Sequence, residues 1–130
     1  MAARPQTEDR IGRYRRGRLS ELVAAATLMA KGYRILARRC RTPYGEIDLI
    51  AKRGSGIIFV EVKRRATRSE AEAALSPRQA QRMVRAAEFW INRNPRYRDH
   101  EQRMDAILVL PGRLPKHLPG VLGIALPQRR

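Results

Sequence analysis

"GEIDLIAKRGSGIIFVEVKRR", residues Gly45–Arg65, decides how this chain folds. Two apolar runs flank Gly54 and Ser55. A two-residue loop led by glycine is the signature of a type II′ hairpin turn. With that turn Arg53 faces Gly56, and the register follows outward: Ile50 opposite Phe59, Leu49 opposite Val60, Asp48 opposite Glu61, Ile47 opposite Val62 and Glu46 opposite Lys63. One face of the ribbon is then apolar (Ile47, Leu49, Ala51, Ile58, Val60, Val62). The other gathers Glu46, Asp48, Glu61 and Lys63 at its open end. A three-residue loop would slip the pairing by one and put Asp48 opposite Val62.

Opposed residues in an antiparallel pair have Cβ atoms roughly 4.5–5.5 Å apart, and like charges there oppose pairing. Two carboxylates held so close need a cation or a shared proton. Lys63, an incoming arginine or a divalent metal would each serve. Oxygen ligands without histidine or thiolate favour Mg²⁺ or Mn²⁺ over zinc. An ordinary salt-bridged polar face of a solvated hairpin accounts for the same alternation.

Upstream, Leu19, Leu22, Val23, Ala26, Met29 and Ala30 recur at helical spacing as one apolar stripe, and Gly32 ends the helix. Glu21 lies at the border of that stripe. "YRILARRCR" (33–41) reads as a first strand and "TPYG" as a turn. "RRATRSEAEAAL" (64–75) reads as a mobile loop or a frayed helical segment. "SPRQ" (76–79) opens a helix: Ser76 is the N-cap, Pro77 the first helical residue and Gln79 the capping-box partner. Ala80, Met83, Val84, Ala87, Trp90 and Ile91 form its apolar face, and Trp90 and Phe89 read as core. "RMDAILVL" (103–110) is a strand buried on both faces, with Asp105 accepting hydrogen bonds from a loop or an arginine. "PGRLPKHLPG" reads as a connection and "VLGIAL" (121–126) as a last edge strand. The order α-β-β-β-α-β-β predicts an α/β domain, a mixed sheet with helices packed on it.

Lys and Arg number 28 against 12 Asp and Glu, a formal net charge of +16. An excess that large favours a polyanion as partner, nucleic acid foremost. Residues 1–17 are arginine-rich and predict a flexible basic arm, followed by a single domain over 18–126 and a tail over 127–130. Tyr14, Tyr33, Tyr44 and Tyr97 are interleaved with arginines, a pattern suited to backbone contact plus base stacking, and equally one that an arginine-rich chain produces by chance. The lone Cys40 excludes an internal disulfide and a multi-cysteine zinc site. His100 and His117 stand apart from any metal-type spacing. Neither a membrane span nor a secretory leader is legible, so a cytoplasmic setting is expected.

Glu21 in a helix followed by "GYRIL" (32–36), "GEIDLIA" (45–51), "FVEVKRR" (59–65), "SPRQ" and "RMDAILV" (103–109), in that order, resembles the YraN family of small endonuclease-like proteins. That family belongs with the PD-(D/E)xK nucleases and is similar in core to archaeal Holliday-junction resolvases. The resemblance implies a restriction-endonuclease-like mixed β-sheet flanked by helices. It implies a catalytic set of Asp48, Glu61, Lys63 and Glu21. Asp48 and Glu61 would ligate Mg²⁺ or Mn²⁺, with Glu21 as an additional ligand or supporting acid, and Lys63 would hold the attacking water. Arg64 and Arg65, and Arg15 and Arg16 of the arm, are expected to contact phosphates. Asp48 follows Ile47 where the superfamily usually has proline, Ser20 stands where the family often has glycine, Arg78 replaces a common lysine, and Met104 replaces a common aromatic. The expected activity is metal-dependent cleavage of structured or branched DNA, and a homodimer is the assembly of the junction-resolving relatives. The alternatives are a non-catalytic DNA- or RNA-binding protein of the same fold, or an RNA-associated accessory protein.

Overall fold

The computed structural model of the chain describes residues 3–120, with side chains over 17–120. Strands β1 (Arg34–Thr42), β2 (Gly45–Arg53), β3 (Gly56–Arg64), β4 (Glu101–Val109) and β5 (Lys116–Leu118) form one sheet in that spatial order. β3 and β4 are parallel and the other neighbours antiparallel. Three helices accompany the sheet: α1 (Ala3–Ala30), α2 (Arg68–Ala73) and α3 (Pro77–Arg93). The parallel β3–β4 pair needs a crossover, and α2 and α3 lie within it.

The hairpin forms as its turn residues dictate. Of Gly54 and Ser55 only the glycine has a positive φ, +59°, the type II′ pattern. Pairing then runs from Arg53↔Gly56 to Leu49↔Val60, the register read from the sequence. Both faces of this ribbon are covered. Ile50, Ile57 and Phe59 pack with Ala80, Met83, Ala87, Trp90 and Ile91 of α3. Leu49, Ala51, Ile58 and Val60 pack with Ala24, Ala25 and Leu28 of α1. The alternating burial places α1 and α3 on opposite faces of the sheet.

α1 departs from expectation twice. Its backbone is already helical from Ala3, so the segment read as an arm continues the helix; Pro5 is tolerated because it lies in the first turn. Its buried side is also not the predicted stripe. Leu19, Leu22, Val23 and Met29 are exposed, while Ser20, Ala24, Ala25 and Leu28 are buried. The small side chains of Ser20, Ala24 and Ala25 let the helix lie close against the sheet around Leu28. Larger leucines there would hold it off.

α3 starts as predicted, with Ser76 Oγ accepting from the Gln79 N–H at 3.2 Å. The 64–75 segment holds the short α2, capped by Thr67. The last strand differs from expectation: β5 is Lys116–Leu118, inside the stretch read as a connection. The strand expected at 121–126 and the tail lie outside the described residues. Tyr33 and Tyr97 are buried, Tyr97 stacking on Trp90 with ring centroids 5.4 Å apart, so neither is a free stacking platform. Tyr44 is exposed, and Phe89, read as core, is only half-buried.

Candidate active site at a strand fork

The hairpin opens where the acids begin. Past Leu49↔Val60 the ladder stops, and Asp48 Oδ2 accepts the Val62 N–H at 2.7 Å. A side chain has taken the place of a backbone carbonyl, so the strands fork at Asp48. The β1–β2 register shifts between Ile35 and Ala37; at the level of the fork it is unchanged, but Arg39 and Asp48 are missing as a pair between Arg38↔Leu49 and Cys40↔Ile47. There Arg39 has a φ of +50°, the only positive value at a non-glycine among the described residues. The alternation of β2 reverses across Asp48. Ile47 packs in the α3 cluster and Leu49 in the α1 cluster, so the single apolar face expected for Ile47 and Leu49 is divided. Left-handed backbone at an arginine is uncommon and costs on the order of 1 kcal/mol or more. Arg39 is anchored by Glu21, its Nε lying 2.7 Å from Glu21 Oε2.

Glu61 is the centre of the cluster. It is 6% exposed on central strand β3. Its Oε1 lies 3.0 Å from Lys63 Nζ and accepts from Gln79 Nε2 at 3.0 Å. Its Oε2 is buried without a hydrogen-bond partner; Arg82 Nη2 stands 3.5 Å away, close enough for charge pairing but misaligned for a hydrogen bond. Gln79 therefore caps α3 with its backbone while its side chain serves Glu61. The capping-box use of that side chain gives way, because a buried carboxylate oxygen is the stronger acceptor.

Asp48 reports the electrostatics. Burial pushes its carboxyl up, and the nearby Glu61 charge pushes it further, to about 7. The Val62 N–H and the Lys63 ammonium pull the other way without cancelling the rise. Two carboxylates in one partly dry site resist double ionisation unless a cation joins them. The donor set fits such a cation: hard oxygens, one of them orphaned. Asp48 and Glu61 are the residues that would hold Mg²⁺ or Mn²⁺.

The remaining expected residues are placed differently. Glu21 reaches the sheet from α1, on the face opposite α3, and is paired with Arg39. Among the described residues no three His, Cys, Asp or Glu side chains gather as a metal-holding group. Arg64 and Arg65 are exposed at the end of β3. The side chains of Arg15 and Arg16 lie outside the described residues. Asp105 is fully buried, but it accepts from Arg103 at 2.7 and 2.8 Å and from the Gly120 N–H at 2.9 Å, and it lies 2.7 Å from His117 Nε2. That set satisfies it as a structural acceptor. The Cys40 thiol, raised by burial and by Glu46, is not activated as a nucleophile.

Arg82 and Arg39 carried no signal in the local sequence. Arg82 lies one helical turn beyond Gln79, on the same face of α3. Its Nη1 also donates to the carbonyls of Tyr44 and Glu46 at 3.4 and 3.3 Å. Gly45 makes this possible: its φ is +117°, and a Cβ there would collide with the Arg82 guanidinium.

Sheet order, flanking helices and the acid–lysine cluster at a forked hairpin define a restriction-endonuclease-like α/β protein. Residues 20–109 match the family described as "Uncharacterised protein family UPF0102". The chain belongs to the UPF0102 family, the YraN family of the sequence resemblance. It is 55% identical over 115 residues to a UPF0102 protein of Rhodopseudomonas palustris (strain BisB5), covering 88% of each chain. It is 49% identical over 116 residues to a UPF0102 protein of Bradyrhizobium sp. (strain BTAi1), covering 89% of this chain and 85% of the relative. A UPF0102 protein of Nitrobacter winogradskyi is 49% identical over 111 residues, 85% of this chain and 94% of its own. Among the described residues no helix is long and apolar enough to cross a membrane.

Proposed function

We propose that this protein is a divalent-metal-dependent nuclease acting on structured or branched DNA. The observation that carries the reading is the buried Glu61 carboxylate, with one oxygen on Lys63 and the other without a hydrogen bond, beside an Asp48 whose affinity for its proton is raised by the same neighbour. An ordinary surface hairpin has no reason to bury a carboxylate in this state. When bound, Mg²⁺ or Mn²⁺ supplies Lewis acidity and neutralises charge building on the phosphate. Asp48 gives up its proton to act as a ligand. Lys63 Nζ, fixed by Glu61, orients a water through hydrogen bonds and faces the phosphate with a compact positive charge. Arg64 and Arg65, exposed at the end of the strand that carries Glu61 and Lys63, hold the backbone of the nucleic acid. Glu21 acts at one remove, holding Arg39 beside the fork. The net charge of +16 draws a polyanion to the site.

The test is incubation with labelled junction, flap and linear DNAs in Mg²⁺ or Mn²⁺. Cleavage of the branched forms that disappears in Asp48→Ala and Glu61→Ala supports the reading. Cleavage that survives both changes belongs to a contaminant and ends it.

One observation favours a second reading, a non-catalytic nucleic-acid binder. Arg82 and Lys63 already offer Glu61 two positive charges, so the carboxylate has cations without a metal. Calorimetric titration with Mg²⁺ separates the two. Binding heat absent from the Asp48→Ala, Glu61→Ala double variant supports the nuclease, and no heat in the unaltered protein supports the binder.

A further inference from the structure

We infer that the recess beside the site is a stacking subsite for one unpaired nucleobase, so that the nucleic acid taken by this protein carries an unstacked nucleotide near the acid–lysine cluster. The inference rests on the nucleic-acid reading above and names which part of the substrate is recognised. The recess has a volume of about 320 Å³ and is lined by Tyr44, Arg85, Glu88, Phe89 and Asn92. Arg82 ties one of its lining residues to the candidate active site, its guanidinium reaching both the Tyr44 carbonyl and Glu61. Arg82, Arg85, Phe89 and Asn92 recur at three- and four-residue steps, one face of α3. Seven residues of helix separate Arg82 from Phe89, about 10 Å at ~1.5 Å per residue. That is roughly three nucleotides of a stacked strand at ~3.4 Å each.

The lining selects the occupant. Tyr44 is 45% exposed, an outlay of aromatic surface that hydrophobic burial does not explain. Phe89 is half-buried, with the Arg93 guanidinium 4.9 Å from its ring centroid. Aromatic rings flanked by arginines stack bases and pair with the phosphates on either side. Glu88 within the recess repels a phosphate, so the uncharged base enters and the phosphates stay with the exposed Arg85. Glu88 then meets a base edge with an acceptor. A base paired inside a duplex cannot present its face to Tyr44. A flap, bulge or junction base can.

The experiment is metal-free, so no bond is broken and its result is independent of catalysis. The unaltered full chain is titrated with a DNA duplex and with the same duplex carrying one unpaired 2-aminopurine, and fluorescence reports stacking. The expected result is a roughly 5- to 150-fold preference for the unpaired form, the range of one base–aromatic stack, with a change in 2-aminopurine emission. Tyr44→Ala and Phe89→Ala erase both while leaving duplex affinity unaltered, and Tyr44→Phe retains them. Tyr44 is exposed, so its variants remain informative should Phe89→Ala fail to fold. Equal affinity for the two DNAs, or a preference and signal that persist in Tyr44→Ala, overturns the subsite. The nuclease reading stands or falls separately, on cleavage in the presence of metal.

Discussion

Asp48→Asn should make the protein more stable at pH 8, although it removes a proposed catalytic group. The native state holds the Asp48 proton up to about pH 7, while an ordinary carboxyl releases it at 3.8. A raised native pKa means the native state binds more protons than the unfolded chain between those values, so stability falls as pH rises through them. The contribution is intact below pH 4 and wholly lost above pH 7. At about 1.36 kcal/mol per pH unit the full loss is about 4 kcal/mol. Water reaching the partly exposed carboxylate and the Lys63 charge reduce the realised figure to roughly 1–3 kcal/mol. Asparagine keeps an acceptor for the Val62 N–H and carries no charge against Glu61. Thermal unfolding should therefore place the variant roughly 4–12 °C above the parent at pH 8, with the gap closing at pH 4. Mg²⁺ should raise the parent's Tm and leave the variant's in place, because only the parent retains the carboxylate pair. A variant no more stable than the parent at pH 8, or a gap of equal size at pH 4, would refute the repulsion on which the site's electrostatics rest.

Gly45→Ala should destabilise by about 1–3 kcal/mol in urea unfolding, through the +117° φ, with the Arg82 guanidinium displaced from beside it. A loss under about 0.5 kcal/mol would mean that the native backbone at residue 45 does not need the positive φ. Lys63→Ala should lower cleavage of branched DNA by at least ~100-fold with the circular dichroism spectrum retained; near-parental cleavage would remove Lys63 from the chemistry. Asp105→Asn should cost roughly 1–3 kcal/mol, because the buried carboxylate loses its charge against His117 and against Arg103, whose own side chain is 44% exposed and screened by water. Burial pushes the Asp105 carboxyl up, but the hydrogen bonds from Arg103, His117 and Gly120 outweigh it and hold it at about 2. Its stabilisation is thus present above pH 4 and lost as pH falls toward 2, a loss that acid titration of the parent should show and that of Asp105→Asn should lack.

Features set by neighbours a few residues apart were legible before any coordinates. The Gly54–Ser55 turn imposed the register from Arg53 to Leu49, and Ser76-Pro77 imposed the start of α3, because turn and cap geometry are local. The candidate site was legible as a pattern of residue types in "EID" and "FVEVK", since two acids and a lysine on paired strands stand out against apolar neighbours. What remained hidden depends on contacts between distant segments. Strict alternation ran Asp48 straight into the ladder, whereas its side chain captures the Val62 N–H and forks the hairpin. Periodicity identified an amphipathic α1, yet the small residues Ser20, Ala24 and Ala25, not the leucines, face the sheet, because closeness of approach outweighs side-chain size there. Arg82 and Arg39 acquired their roles only when α3 and α1 were laid on opposite faces, for a charge finds its partner by position in space and not by spacing along the chain.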